Sequence, residues 1–264
     1  MRKYVILAMA ALACMVTASY AQADQTIEAS IKPSKLSKKK KKPVTLIVDI
    51  RTSDAGGTLD QPADADRTIV DWPKNLSFDP KAVPNCAGTE ADLQNTTTEA
   101  AIDICGKKSI VSVQPKGGIG PDSLDPAGGN RVVKSSVPTG AVVTVDADPL
   151  TADSAQTFVP VALTAFNGTS NNTLYLHSKA TTLPVTNVLV GKLKKGKGKY
   201  GSSLDVTIPQ LLAGGISDFK TTVKAGKYVQ AVCKSKKMPY GARTIYSDAP
   251  QTTATYNGKC SQKK

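Results

Sequence analysis

The chain has 264 residues and a formal net charge of +13, with 34 Lys or Arg against 21 Asp or Glu. That length holds one large domain or two small ones. The positive charge is nearly all lysine: past the first three residues only Arg51, Arg67, Arg131 and Arg243 are arginines. Base-edge readout and bidentate phosphate recognition lean on the arginine fork, so the bias argues against sequence-specific nucleic-acid binding.

Arg2 and Lys3 precede an apolar stretch from Val5 to Val16, and Ala21-Gln22-Ala23 follows it. A charged start, a short apolar run and a small-x-small end predict a signal peptide over 1–23, leaving Asp24 as the first residue of an exported chain. The run is shorter than the ~20 apolar residues of a spanning helix. No later segment matches it, so no transmembrane segment is expected after signal removal. Lipidation at Cys14 is the rival reading. It is disfavoured because Ala11 occupies the position three before the cysteine, where a larger aliphatic residue is usual, and because apolar sequence continues past Cys14. Loss of Arg2 and Lys3 lowers the net charge from +13 to +11.

Residues 24–43 read as a basic arm with a first strand, ending in the run Lys38, Lys39, Lys40, Lys41 and Lys42 before Pro43. From residue 44 to 258 the pattern is that of strands. Val44, Leu46, Val48 and Ile50 share one face, as do Val143, Val145 and Ala147, and Leu204, Val206 and Ile208. Phe158 to Phe166 is apolar on both faces, which predicts a central, doubly covered strand. Val229, Ala231 and Cys233 line one face of a late strand. Turn clusters separate these runs at Asp54–Gly57, Lys116–Gly118 and Asn167-Gly168, and Lys224–Lys227 reads as a hairpin turn. Residues 115–130 read as a long loop. One helix is expected near 97–105, with Thr96 capping, Glu99 completing a capping box, and Gly106 ending it. Lys192, Lys194, Lys195, Lys197 and Lys199 form a second basic segment at a hairpin tip, and 259–264 is a basic tail. The expected fold is all-β, a β-sandwich or jelly-roll-like domain of about ten strands or more. A division into two β units near 135 is the alternative.

Beyond Cys14 four cysteines remain, Cys86, Cys105, Cys233 and Cys260. An even number in an exported chain predicts disulfides. Three pairings are open, and proximity in sequence favours Cys86–Cys105 and Cys233–Cys260. Each closes a short loop worth about 3 kcal/mol in the chain-entropy picture. With no C-x-x-C pair and one histidine, zinc is disfavoured.

No catalytic constellation stands out. His177, the single histidine, shares a face with Tyr175, opposite Leu174 and Leu176, and no G-x-S-x-G elbow accompanies it. Past the leader the glutamates are Glu28, Glu90 and Glu99, and the aspartates sit mostly in turns. A carboxylate pair drawn from those aspartates defines the alternative function, a secreted polysaccharide-active hydrolase. Asp60, Asp64 and Asp66, and Asp146, Asp148 and Asp153, are clusters with calcium as the alternative to solvated acidic turns. No cofactor is otherwise expected. Trp72 reads as a core tryptophan rather than a stacking platform. The lysine runs fit loose attraction to polyanions.

Asn75-Leu76-Ser77-Phe78, Val83-Pro84-Asn85-Cys86 and Ala101–Cys105 before Ser109-Ile110-Val111 are followed by Leu163–Gly168, Leu174-Tyr175-Leu176-His177 and Tyr200-Gly201 leading to Val206–Pro209. In these the chain resembles a group of uncharacterised secreted proteins from high-GC Gram-positive (actinobacterial) bacteria. The resemblance implies a secreted β-sandwich and carries no activity. The expected role is a non-enzymatic extracellular or cell-wall-associated binding or structural module that contacts anionic wall polymer or polysaccharide through its lysine-rich loops. The sequence carries no signal for oligomeric state.

Overall fold

The computed structural model describes residues 24–53, 65–112, 142–146, 158–180, 185–209, 216–224, 226–247 and 249–263. The expected signal peptide with Cys14, the 54–57 and 116–118 turns, the 115–130 loop and the division near 135 lie outside them. So do Asp60, Asp64, Asp148 and Asp153, and with them the two acidic clusters.

The fold is all-β, as the alternation predicts. In chain order the strands are β1 (Asp24–Lys32), β2 (Lys35–Leu36), β3 (Lys42–Pro43), β4 (Thr45–Ser53), β5 (Ala65–Pro73), β6 (Leu76–Phe78), β7 (Val142–Asp146), β8 (Phe158–Asn167), β9 (Thr173–Ala180), β10 (Thr186–Lys195), β11 (Tyr200–Thr207), β12 (Ile216–Val223), β13 (Val229–Ala231), β14 (Lys237–Tyr246), β15 (Thr252–Lys259) and β16 (Ser261–Gln262). Two helices, α1 (Glu90–Leu93) and α2 (Thr98–Cys105), lie between β6 and β7.

Eleven strands form one antiparallel sheet in the order β1-β4-β12-β7-β8-β9-β10-β11-β5-β14-β15. The sandwich-like layers are therefore one continuous sheet curled over a common core. Its two outermost strands come back together. Thr252 on β15 donates to Gln25 Oε1 on β1 at 3.3 Å, and Gln25 Nε2 donates to Thr244 on β14 at 2.6 Å. A side-chain carbon at Gly258 would sit 2.8 Å from the Tyr240 ring and 3.2 Å from the Ala29 carbonyl oxygen. Glycine at this position lets β1 and β15 approach, although no ladder joins them.

The alternation sets which side chains point inward. On β1, Ile27, Ala29 and Ile31 are buried and the residues between them exposed, and beside them Leu46, Val48 and Ile50 of β4 are buried with half-buried residues between. Each such Val, Leu or Ile contributes roughly 1.5–3 kcal/mol by leaving water. β1 is thus an integral strand of the sheet rather than part of a free arm. The 259–264 segment is also tied down, since β16 pairs in parallel with β2 and the Lys263 N–H donates to Leu36 O at 2.8 Å.

A small sheet, β3-β13-β6, covers one end of the curl. Lys224 follows β12, and Gly226 and Lys227 lead into β13 of this sheet. β12 and β13 do not pair with each other, so the expected hairpin is a crossover between sheets. The turn at 168–172, by contrast, closes a true hairpin, with Gly168 N–H donating to Thr173 O at 2.8 Å.

The segment from residue 80 to 109 packs on the outer face of β8, β9 and β10, and residues 110–112 then bridge β8 and β12, with Val111 in the inner core. Asn167 anchors it, donating through Nδ2 to Pro80 O at 2.9 Å and to Asn85 Oδ1 at 2.7 Å. The expected helix is present, but its cap differs. Thr97, not Thr96, accepts from Ala100 N–H at 3.2 Å, and the capping box belongs to α1, formed by Thr89 and Asp92. Thr96 is taken up by other contacts, described below, which shifts the cap by one residue. Gly106, at φ +79°, ends α2. Both favoured disulfides are present, Cys86–Cys105 across this segment and Cys233–Cys260 between the end of the small sheet and the end of β15.

Candidate functional site

Three places in the fold gather functional groups: one basic end, the interior of the curl, and the outer face around β5 and β11. The antiparallel register defines the two ends. The start of β4, the ends of β1, β5, β10 and β12, and the start of β14 all lie at one end. Lys38–Lys42 leads into β4, and the tip carrying Lys195, Lys197 and Lys199 joins β10 to β11. The fold therefore brings the two predicted lysine runs to the same end. All ten lysines are exposed. Lys194 Nζ pairs with Asp205 at 2.5 Å, and the Lys199 ammonium lies 5.3 Å from the centroid of the Tyr200 ring. Among the described residues the other eight have no ion-pair partner.

Sequence reading missed other cations of this end. Lys74, Lys224, Lys227, Lys234 and Lys236 are exposed at it too, beside Lys259 of the expected basic tail. They are scattered in sequence and meet only because β5, β12 and β15 finish, and β14 begins, on the same side. The Cys233–Cys260 bridge, itself buried, sits beneath them.

The interior of the curl holds a cavity of about 170 Å³. It is lined by β1, β4, β5, β8 to β12 and β14, mostly through aliphatic side chains such as Leu46, Val48, Leu163, Leu176 and Leu189. Toward the end opposite the lysines its wall is polar and neutral. There Gln25, Thr68 and Thr244 hydrogen-bond with one another, and the Tyr246 hydroxyl lies 3.2 Å from Thr252 Oγ1. Toward the lysine end it closes on an aromatic floor. Phe78 stands between Trp72 and Tyr228, with ring centroids 5.6 and 6.1 Å away. Trp72 is a core residue, as its context predicts, at 4% exposure.

On the outer face, Arg67 donates to both carboxylate oxygens of Asp205, at 2.6 and 2.5 Å, and Lys194 adds a third contact. The Arg67 hydrogen bonds, followed by those from Lys194, hold the Asp205 carboxyl down to about 2 against the cost of burial. Asp71 lies on β5 beside Ser203, two residues from Asp205 in register, which makes the two aspartates diagonal neighbours roughly 7–8 Å apart by ladder geometry. Burial raises its carboxyl, and Arg243 at 3.7 Å opposes that rise. Opposite shifts in neighbouring carboxylates are the mark of an acid–base pair. Here, however, both Asp205 oxygens are already engaged by cations, so the group is arranged as a neutralised ion cluster.

His177 lies on the sheet's second face, as expected, but it is wholly buried under the α1–α2 segment. Thr96 Oγ1 donates to Leu93 O at 2.7 Å, which leaves its lone pair for His177 Nε2 at 3.1 Å. That network assigns the imidazole proton to Nε2. Burial pushes the His177 pKa below its ordinary value, keeping the ring neutral. No nucleophile or orienting carboxylate joins it among the described residues, so it acts as a packing and hydrogen-bonding residue.

Among the described residues, no group of three or more His, Cys, Asp or Glu side chains converges as a metal site, and no helix is long and apolar enough to cross a membrane. No protein-family model and no curated protein matches the chain.

Proposed function

We propose that the protein is a non-enzymatic binding module that works outside the cell and contacts anionic wall polymer through its lysine-rich end. One observation carries this reading: the strand topology gathers Lys38–Lys42 and Lys192–Lys199 at a single end, with their side chains exposed. A surface of one sign concentrates counter-charged polymer more strongly than the same charges spread over the molecule. Lysine rather than arginine makes the contact loose and point-like, which suits a flexible polyanion without a fixed fork geometry. Two disulfides and the resemblance to secreted actinobacterial proteins support placement outside the cytoplasm.

The test is binding of the purified protein to isolated cell walls across a salt series. Binding should fall steeply as salt rises, because exposed charges are screened beyond about 8 Å at physiological ionic strength. Neutral replacement of Lys38–Lys42 together with the lysines of 192–199 should abolish it. Salt-resistant binding, or binding unchanged in that variant, would remove the basic end from the mechanism.

A further inference from the structure

We infer that the cavity inside the curled sheet is a binding site for a compact, neutral, mostly hydrocarbon molecule carrying one hydrogen-bond-acceptor oxygen. This site is independent of the basic end and does not rest on the reading given for it.

The inference starts from two donors that have nothing to donate to. Trp72 Nε1 and the Tyr228 hydroxyl are both buried without a hydrogen-bond partner among the described residues, and both residues line the cavity. Trp72 is 4% exposed and Tyr228 1%. Buried donors are almost always paired in native proteins, and each one left unpaired is costly. Either one on the cavity floor marks a place where an acceptor belongs, and the single acceptor is assigned to the Tyr228 hydroxyl. Burial raises the Tyr228 pKa far above its usual range, so the hydroxyl keeps its proton and stays a donor.

The contrast within the cavity fixes the orientation. At the opposite end, Gln25, Thr68 and Thr244 satisfy one another. The unmet demand is confined to the floor, so the acceptor enters first and the hydrocarbon body lies against Leu163, Leu176 and Leu189.

Charge and size fix the class. The described lining contains no Lys, Arg, His, Asp or Glu, so an anionic headgroup would be buried without a counter-charge. The acceptor is therefore a ketone, ester or ether oxygen rather than a carboxylate or phosphate. A cavity of about 170 Å³ exceeds the ~150 Å³ that accommodates a benzene ring in an apolar core, and it suits a body of roughly ten heavy atoms. A long acyl chain is too large for it.

The protein reports on its own site, because Trp72 is the single tryptophan. The experiment titrates the disulfide-bonded protein with camphor and, separately, with camphane, the same skeleton without the carbonyl. Trp72 fluorescence and calorimetry are the readouts. Both ligands should bind, camphor more tightly. Tyr228→Phe should weaken camphor by roughly 3–10-fold, the range of one lost hydrogen bond, while leaving camphane unchanged. Ala165→Leu, which projects into the cavity, should weaken both. No saturable response to either ligand would overturn the site. An equal effect of Tyr228→Phe on both would overturn the acceptor assignment. Should Ala165→Leu fail to fold, the Tyr228→Phe comparison still decides.

Discussion

The molecule has two apolar interiors on opposite faces of the same strands, and they are packed differently. Outside the sheet, Leu93, Ala101 and Phe166 are fully buried and Val188 nearly so, in a small core under α1 and α2. Inside the curl, a much larger apolar core surrounds a cavity of about 170 Å³ among the described residues. Protein interiors rarely leave voids much larger than a water molecule. Side chains of both cores reach near-zero exposure, so the difference between them lies in the cavity rather than in exclusion of solvent. The buried polar groups divide less cleanly. Outside, Thr96, Thr186 and His177 Nε2 find partners across the contact between the helical segment and the sheet, while His177 Nδ1 and Asn167 Oδ1 have none among the described residues. Inside, the Trp72 and Tyr228 donors have none either, and these two residues line a cavity.

The largest expected effect separates the two interiors outright. Replacing Cys86 and Cys105 together by serine removes a bridge spanning 19 residues and should cost about 3 kcal/mol in denaturant unfolding. Hydrogen exchange should place that loss in residues 86–112, with β8 and β9 keeping their protection. Loss spread evenly over the sheet would show that the two cores unfold as one unit.

A matched pair of substitutions sharpens the same contrast. Ala101→Leu forces three carbons into the filled core and should destabilise by about 1–3 kcal/mol. Ala165→Leu adds the same atoms beside the cavity and should change stability by no more than about 0.5 kcal/mol, because space is already there. Equal destabilisation by both would mean that the inner core is as tightly packed as the outer one.

The smallest effect concerns pH. His177 has a folded-state pKa below its unfolded value of about 6.5, so the unfolded chain binds the extra proton. The neutral ring's contribution is present above pH 6.5 and is lost as pH falls below it, at up to about 1.4 kcal/mol per pH unit. His177→Gln should flatten the stability profile between pH 7 and 5. The fluorescence of Trp72, on the other face, should report this only through global unfolding.

Much of this architecture is legible from local sequence. Val44-x-Leu46-x-Val48-x-Ile50 gives the face of β4, and nearby cysteines give both bridges, because each of these is a short-range relation. The pairing of β1 with the far end of the chain is not, since nothing in 24–32 names Gly258 as its neighbour. The same holds for the lysines of the basic end beyond the two runs, which meet only through strand direction. The one-residue error in the helix cap has a tertiary cause. Thr96 and Thr97 are equivalent as local caps, and His177, 81 residues away, takes Thr96 for itself. The cavity is the least legible feature of all. It is a difference between the span of a curled sheet and the summed volume of the side chains inside it, and no single residue encodes it.

That empty space also carries a mechanical consequence. Unfolding floods internal voids with water, so a folded protein with a larger void shrinks more when it unfolds under compression. For this molecule the cavity of about 170 Å³ adds to that volume change, which in globular proteins runs from about 20 to 100 mL per mole. Hydrostatic pressure should therefore act on this fold through the cavity, and an occupant would work against it by removing the volume that pressure acts on.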